Sequence, residues 1–236
     1  MKFLRTIPCL LLATLLAACQ GDPQPITSPV PEGQEIRYQA EVRRLVEQSR
    51  AITDQNIRTV LVGSSIFRLW KSAEDDLRPW SPVNHGFGGS RTWELLAHLQ
   101  ELVIDFHPEV VVIYCGSNDI NAGEGAVGIA DRTIEIFETL ERSLPHVKTI
   151  YVSINRAPEK KDRWDVVDEA NALIEAACEG RPDRWFVDVN EGLFADAGTP
   201  RYDLYLDDHL HFTAQAYDEV FAPRVLDALK NVMPLD

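Results

Sequence analysis

A serine, a histidine and an aspartate have sequence surroundings that suit acyl-transfer chemistry. Ser65 ends the run Gly63-Ser64-Ser65, where the apolar residues Val60-Leu61-Val62 give way to a helix-like segment. A serine hydroxyl at such a turn can act as a nucleophile, although serine is also a favoured cap of a helix N-terminus. Asp208 and His211 are three residues apart, so a helical turn would bring the carboxylate beside the imidazole and let it orient the ring. The three residues predict a nucleophile, its base and an orienting acid.

Two further segments could hold the oxyanion that such a reaction generates. The run Gly86-Phe87-Gly88-Gly89-Ser90-Arg91 can present backbone N–H groups, because glycine has no Cβ to block a ligand. An ordinary turn would use the same residues. Asn118 follows another apolar run, and its amide can donate to an oxyanion or simply close a turn. The residues alone leave both alternatives open.

The run Asp207-Asp208-His209-Leu210-His211 also allows a metal-dependent phosphoesterase hypothesis. Its carboxylates and imidazoles are possible metal ligands, but the chain lacks the recognisable Cys and His spacing of a metal site. An Asp–His pair that activates a serine needs no metal ion. We therefore expect neither a metal ion nor an organic cofactor.

The elements that must position these residues form an alternating pattern. Strand-like runs alternate with helical stretches, and the candidate residues follow the runs, where the site of an open parallel sheet lies. The strand-like runs are 59–62, 83–87, 109–115, 149–154 and 185–189, and the main helical stretches are 93–106, 130–144, 164–178 and 214–232, the last bent at Pro223. The alternation predicts right-handed β-α-β crossovers. The fold class is α/β, a three-layer α/β/α sandwich with a mainly parallel five-stranded sheet.

The order of these motifs resembles the SGNH hydrolases, also called the GDSL esterase and lipase family. The resemblance covers roughly residues 59–217 and is carried by Gly63-Ser64-Ser65, Gly88-Gly89, Gly116-Ser117-Asn118-Asp119 and Asp208-x-x-His211. It implies a flavodoxin-like fold, a catalytic triad and an oxyanion hole. In this chain the triad would be Ser65, Asp208 and His211, and the oxyanion donors would be Ser65, Gly89 and Asn118.

The chain departs from the family pattern at two positions. Ser64 replaces the usual aspartate of the first motif, and His209 stands where a glycine is common. Neither departure removes a catalytic group. The second leaves the assignment of the base open between His211 and His209.

The resemblance is closest to the lysophospholipase-like and platelet-activating-factor acetylhydrolase-like branch, through Arg68-Leu69-Trp70. It implies a serine esterase that forms an acyl-enzyme from short acyl or acetyl esters, with lysophospholipids and acetylated glycans as candidate substrates. The alternative is a non-catalytic, lipid-tethered module that binds a glycan or a peptide on the same scaffold. Four tryptophans could line a pocket, but aromatic residues at such spacings are more often part of the core. The four are Trp70, Trp80, Trp93 and Trp164.

The N-terminus is predicted to be an export signal. Lys2 and Arg5 precede an apolar run of twelve residues, 7–18, which is shorter than the roughly 20 residues that span a bilayer. Leu16-Ala17-Ala18-Cys19 resembles a bacterial lipoprotein signal and implies that Cys19 is acylated after cleavage. Residues 1–18 would then be the signal, 19–35 a Pro-rich tether and 36–236 the hydrolase domain. If the host has two membranes, Gln20 implies delivery to the periplasmic face of the outer membrane.

Charge and cysteine content limit the partners. The formal net charge is −14, so the chain has no basic field for nucleic acid. Removal of residues 1–18, which contain Lys2 and Arg5 and no acidic residue, makes the body more acidic still. Cys115 and Cys178 lie in a strand-like and a helix-like run. We expect two buried, inert thiols, with a disulfide as the alternative.

Overall fold

The computed structural model describes residues 37–51, 56–196 and 198–235. The helices are α1 (Gln39–Ala51), α2 (Ser65–Leu69), α3 (Ala73–Asp76), α4 (Thr92–Ala97), α5 (Leu99–Leu102), α6 (Ser117–Asn121), α7 (Ala126–Ser143), α8 (Trp164–Cys178), α9 (Asn190–Leu193), α10 (Ala214–Ala216) and α11 (Ala222–Val232). The strands are β1 (Thr59–Gly63), β2 (Pro82–Gly86), β3 (Val110–Tyr114), β4 (Lys148–Val152), β5 (Arg184–Val187), β6 (Phe194–Asp196) and β7 (Thr199–Pro200). The predicted signal, Cys19 and the whole of the predicted tether, 19–35, lie outside the described residues. Within those described, no helix has the length and apolar character needed to cross a bilayer.

Five strands form one parallel sheet in the order β2-β1-β3-β4-β5. Every residue of β1 and of β3 is buried, as expected for central strands with helices on both faces. Because all five strands run the same way, their carboxyl ends meet at one edge. The predicted three-layer α/β/α sandwich with a five-stranded sheet is confirmed, and an additional small antiparallel pair, β6 and β7, was not predicted.

Alternate residues of each central strand face opposite layers. Val60 and Val62 pack into a core with α1, α4, α5, α7 and α8. Leu61 packs on the other face, into a core that contains residues of α2, α9 and α11. The two hydrophobic layers hold the sheet rigidly, so residues that follow the strands have fixed positions.

The predicted helix 93–106 is wrong as a single element. It is divided into α4, α5 and a 3₁₀ turn, Ile104–Phe106. The first break is at His98, whose ring nitrogens lie 2.6 Å from Glu101 Oε1 and 3.1 Å from the carbonyl oxygen of Arg37. The ring therefore binds the segment before α1, a tertiary contact that helical spacing does not reveal.

The predicted helix 214–232 is also irregular. It starts as α10, widens into a π-helical turn at Tyr217–Phe221 and continues as α11. Pro223 lies in the first turn of α11, where its missing N–H costs little. The irregularity thus precedes the proline, and Pro223 opens the regular part of the helix.

The aromatic and cysteine predictions agree with the packing. Trp70, Trp80 and Trp93 are buried in the core, whereas Trp164 is half-buried and donates to the carbonyl oxygen of Ala157. The two remaining cysteines are buried as free thiols, and burial raises the pKa of Cys178 to about 11. Burial likewise raises the pKa of the other, Cys115. Both thiols are therefore in their unreactive, protonated form near neutral pH.

Candidate active site

Ser65 is the first residue of α2, immediately beyond the carboxyl end of β1. The turn between them needs glycine at position 63, because Gly63 has a φ of +135° and a Cβ there would lie 1.9 Å from the carbonyl oxygen of Tyr114. The same carbonyl oxygen accepts a hydrogen bond from Ser64 N at 3.0 Å. This close approach of β1 to β3 directs the chain into α2 and presents the Ser65 side chain at the sheet edge.

The structure brings Ser65, His211 and Asp208 together across 146 residues of sequence. Ser65 Oγ lies 2.9 Å from His211 Nε2, and His211 Nδ1 lies 2.6 Å from Asp208 Oδ2. An ionised carboxylate only accepts hydrogen bonds, so the proton of the imidazole is on Nδ1 and Nε2 is free to accept from Ser65. The nucleophile, base and orienting acid thus have the geometry required for serine activation.

Asp208 is held as an ionised carboxylate. Partial burial opposes its ionisation, but hydrogen bonds from the His211 ring and from the backbone N–H groups of His211 and Leu210 outweigh burial and lower the pKa of Asp208 to about 2. Asp208 Oδ1 accepts those two backbone N–H groups at 2.9 and 3.0 Å. The segment forms a turn rather than a helix, so the two residues meet through this turn and not through helical spacing.

Aromatic packing anchors the segment that carries His211. Tyr205 and Phe212 form an isolated antiparallel bridge and are buried, and their rings lie 4.9 Å apart. His209 has a φ of +55°, and its exposed ring packs edge-on against Tyr202 at 5.3 Å. The geometry therefore favours His211 as the base, since His211 Nε2 is hydrogen-bonded to Ser65 Oγ, whereas the His209 ring contacts Tyr202.

The predicted oxyanion donors surround Ser65. Gly89 has a φ of +73°, and a Cβ at this position would lie 2.5 Å from Tyr38 Oη. One N–H of the Asn118 amide donates to the carbonyl oxygen of Ser90 at 3.0 Å, which fixes the amide and leaves its second N–H for a ligand. The N–H of Ser65, at the start of α2, has no acceptor within its own helix. Ser65, Gly89 and Asn118 border one cavity, which His211 also lines.

A buried carboxylate connects the two segments that carry Gly89 and Asn118, two of the predicted oxyanion donors. Asp119, fully buried beside Asn118, accepts hydrogen bonds from Thr92 N at 3.1 Å and from Thr92 Oγ1 at 2.5 Å. Arg132 donates to Thr92 Oγ1 at 2.7 Å. Burial raises the pKa of Asp119 to about 6, against the hydrogen bonds from Thr92. The start of α4, just after Gly89, is thereby tied to α6.

A second connection joins α2 to the chain beyond His211. Tyr217, in the π-helical turn, donates a hydrogen bond to the carbonyl oxygen of Ile66 at 2.7 Å. Its ring stacks on Trp70 with 5.7 Å between centroids. The helix that begins at Ser65 and the segment that follows His211 therefore contact each other directly.

The cavity at Ser65 measures about 450 Å³. Its lining is more polar than apolar and consists of Tyr38, Glu41, Ser65, Arg68, Gly88, Gly89, Asn118, Leu210 and His211. Sequence reasoning missed Tyr38 and Glu41 as lining residues, because they lie in or before α1 and no local motif marks them. Arg68 lies in the first motif and was used only to choose a branch of the family.

Other groups do not form a competing site near Ser65. A cavity of about 550 Å³, lined in part by Arg156, Asp168 and Asp188, lies away from the Ser–His pair. Within residues 37–51, 56–196 and 198–235, no group of three or more His, Cys, Asp or Glu is arranged to hold a metal ion. Within the Asp207–His211 run, Asp208 and His211 form the hydrogen-bonded pair described above.

Comparison with solved structures agrees with the fold. A protein of Bacteroides fragilis assigned as an acylhydrolase superposes with a TM-score of 0.71 and 22% identity, over 83% of this chain and 98% of its own. A GDSL-like lipase of Bacteroides thetaiotaomicron gives 0.68 and 20% identity, over 82% and 99%. A carbohydrate esterase family 3 protein of Talaromyces cellulolyticus gives 0.63 and 15%, over 76% and 100%. At these identities the likeness shows the fold.

The sequence itself carries the family assignment. A search among curated proteins gave no match to this chain. The model of the GDSL-like lipase/acylhydrolase family matches residues 62–219, a range that contains the Ser65 turn, the oxyanion segments and the Asp208–His211 turn. The chain belongs to the GDSL-like lipase/acylhydrolase family and is a hydrolase that acts on ester bonds.

Proposed function

We propose that the protein is a serine esterase in which Ser65 attacks the ester carbonyl and His211 is the general base. The observation that carries this proposal is the continuous hydrogen-bond chain from Ser65 Oγ to His211 Nε2 at 2.9 Å and from His211 Nδ1 to Asp208 Oδ2 at 2.6 Å. A bond forms between Oγ and the carbonyl carbon as the Oγ proton moves to Nε2. The negative charge on the carbonyl oxygen is met by N–H donors of Ser65, Gly89 and Asn118.

The second half of the reaction restores the enzyme. The bond from carbonyl carbon to alcohol oxygen breaks, and the alcohol leaves with the proton from Nε2. Water then attacks the acyl-enzyme and gives a proton to His211, and the acid leaves as Ser65 recovers its hydrogen. Asp208 remains ionised throughout, in agreement with its pKa of about 2, and stabilises the imidazolium.

The lining of the cavity favours esters that join a short acyl group to a polar alcohol. Leu210 is the one aliphatic side chain among the described residues that line it, and Glu41 and Arg68 place charges beside it. A long acyl chain would need an apolar surface to leave water, at about 25 cal/mol per Å² buried. Acetyl esters of sugars or of other hydroxyl-rich alcohols are therefore the substrates that we propose first, ahead of lysophospholipids.

A panel of esters tests this proposal. Acyl chains from acetyl to decanoyl on one alcohol, together with acetylated sugars, are compared by kcat/KM for the native protein and for Ser65→Ala. We expect the highest values for acetyl esters and a decline with chain length. An optimum at long chains would contradict the short-acyl assignment, and equal rates for both proteins would contradict the nucleophile.

Two alternatives make different predictions. A tethered glycan- or peptide-binding module would retain its ligand without releasing acid or alcohol. A metal-dependent phosphoesterase that used Asp207, Asp208, His209 and His211 would hydrolyse phosphoesters and lose that activity in chelator. Ester hydrolysis that persists in chelator and depends on Ser65 contradicts both.

We also propose that the mature protein begins at an acylated Cys19 and is held at a membrane by the lipid. Support comes from Leu16-Ala17-Ala18-Cys19 and from the Pro-rich residues that follow. Metabolic labelling with palmitate should mark the native protein and leave Cys19→Ser unmarked. Equal labelling of the two would contradict lipidation at Cys19.

A further inference from the structure

A groove with three basic side chains extends from the Ser65 cavity along α2. An adjoining cavity of about 420 Å³ is lined by Arg44, Arg68 and Lys71, among others. Arg68 and Glu41 border both cavities, so the two cavities are neighbours that meet at these residues, and together they are called the groove. A molecule bound at Ser65 can therefore extend past Arg68 toward the other two cations.

Arg68 is placed beside the oxyanion segment by a glycine. A Cβ at Gly88 would lie 2.9 Å from Arg68 Nε and 3.1 Å from Arg68 Cζ. Any side chain at position 88 would displace the guanidinium. The exposed Arg68 side chain thus lies against the backbone of the loop that carries Gly89.

The three basic side chains have no acidic partner, whereas most arginines of the described chain do. Among the described residues, none of Arg44, Arg68 and Lys71 has a carboxylate oxygen within the 4.0 Å that defines an ion pair. Lys71 Nζ donates only to the carbonyl oxygen of Arg68. Unpaired cations are notable in a chain with a net charge of −14, where carboxylates are abundant.

Two carboxylates also face this groove, and they leave it with a positive balance. Glu74 accepts the N–H of Asn84 at 3.0 Å, and Glu41 lies at the junction of the two cavities. Three cations and two carboxylates give one excess positive charge. The excess acts locally, because charges farther away on the acidic surface are screened over about 10 Å at ordinary salt.

We propose that this groove is a subsite for an anionic group, a phosphate or a carboxylate, on the alcohol part of the ester. Guanidinium and ammonium groups donate charge-assisted hydrogen bonds to such oxyanions. Acyl groups of common esters are hydrocarbon chains and would leave these donors unused, whereas alcohols such as glycerol phosphates and uronic acids carry the charge. The inference rests on the proposed esterase function and adds the class of its alcohol.

Two matched pairs of acetyl esters test the subsite. The phosphate pair is 1-acetylglycerol 3-phosphate and 1-acetylglycerol, and the carboxylate pair is an acetylated methyl glucuronoside and the same acetylated methyl glucoside. The measured quantity is the ratio of kcat/KM, anionic over neutral, for each pair. A ratio taken on one protein sample is unaffected by any loss of folded enzyme, so a poorly folding variant cannot imitate the result.

The native protein should prefer the anionic member of at least one pair, and that pair identifies the anion. Arg68→Gln should lower the ratio about tenfold, as expected for loss of a hydrogen bond to a charged group, while Arg68→Lys should keep part of it. Arg44→Gln should lower it less. Arg43→Gln is the matched control, since Arg43 is exposed in α1 and borders neither cavity, and it should leave the ratio unchanged.

Two results would overturn the subsite. One is a native ratio near unity or below for both pairs, and the other is a ratio that Arg68→Gln does not change. Either result, with Ser65-dependent hydrolysis of the neutral esters, would leave the esterase function intact. Hydrolysis of these esters that is independent of Ser65 would instead contradict the proposed function.

Discussion

In the proposed mechanism, the Ser65 hydroxyl depends on one hydrogen bond for its activation. His211 Nε2 is the only ring nitrogen within hydrogen-bond distance of Oγ among the described residues, and Asp208 fixes its tautomer. Serine itself is a poor nucleophile at neutral pH unless a base accepts its proton. The proposed mechanism therefore assigns the activation of the nucleophile to three side chains, Ser65, His211 and Asp208.

Removal of the nucleophile should abolish most of the activity. Ser65→Ala is expected to lower kcat for a short-chain ester by roughly 10³-fold or more, because no other group can form the acyl-enzyme. His211→Ala should have a similar effect, since both act in the same step. His209→Ala is the control on the neighbouring imidazole and should keep a kcat close to that of the native protein. A fall in kcat as large as that of His211→Ala would show that the base is wrongly assigned.

Loss of the Asn118 amide should have a smaller effect. Asn118→Ala removes one of three oxyanion donors, so kcat should fall about 10²- to 10³-fold with KM little changed. Asn121→Ala is a suitable control, since Asn121 is an exposed residue of the same helix, α6. An unchanged kcat for Asn118→Ala would remove this residue from the oxyanion hole.

The residues of the site were predictable where the motif is local, and not where the contact is distant. Ser65, Asn118 and the Asp208–His211 pair follow strands or turns whose sequence marks them. Tyr38 covers Gly89 from 51 positions away, and His98, at which the predicted helix is interrupted, contacts Arg37 of the same N-terminal segment. Contacts of this kind depend on how the helical layer packs on the sheet, which periodicity does not encode.

At the scale of elements, the loop that carries Gly89 is held between the segment before α1 and helix α6. Arg37 Nη2 reaches the carbonyl oxygen of Gly89 at 3.3 Å, and Arg37 Nε reaches Glu94 Oε1 at 2.7 Å. Asp119 binds Thr92 from the other side. The loop that carries Gly89 is thus fixed before a substrate arrives, which is what oxyanion stabilisation requires.

A methyl group at position 89 should displace this loop. Gly89→Ala places a Cβ 2.5 Å from Tyr38 Oη at a φ of +73°, so it adds a clash to the conformational strain. Gly123→Ala has the same kind of strain, at +88°, with no atom within 4 Å. Each variant should lose about 1 kcal/mol of folding free energy from strain, measured by urea unfolding.

Of these two variants, only Gly89→Ala should affect catalysis. We expect kcat for Gly89→Ala to fall at least tenfold, because the N–H donor moves with the loop, and we expect Gly123→Ala to retain its kcat. Equal kcat for the two variants would indicate that the position of the Gly89 loop does not control oxyanion binding.

At the scale of the whole molecule, a buried histidine should make stability depend on pH. His85 is fully buried between Ser49, whose Oγ lies 2.7 Å from Nε2, and the carbonyl oxygen of Leu102, 2.6 Å from Nδ1. Burial lowers its pKa from 6.5 to about 4. The folded state therefore favours the neutral ring, so its stabilising effect is complete above pH 6.5 and is lost as pH falls toward 4.

Comparison with His85→Gln isolates this effect. Between pH 7 and pH 4 the native protein should lose on the order of 3 kcal/mol more unfolding free energy than the variant. Asp119, whose pKa is raised to about 6, acts in the opposite direction and is present in both proteins. Urea unfolding at several pH values measures the difference, and parallel pH curves would contradict it.

The central claim is that Ser65 is an activated nucleophile, and covalent labelling tests it most directly. The native protein is treated with a fluorophosphonate, which phosphonylates activated serines, and the modified peptide is identified by mass spectrometry beside Ser65→Ala and His211→Ala. We predict one adduct, on Ser65, formed much more slowly in His211→Ala and not at all in Ser65→Ala. No adduct, or an adduct on another serine, would contradict the account.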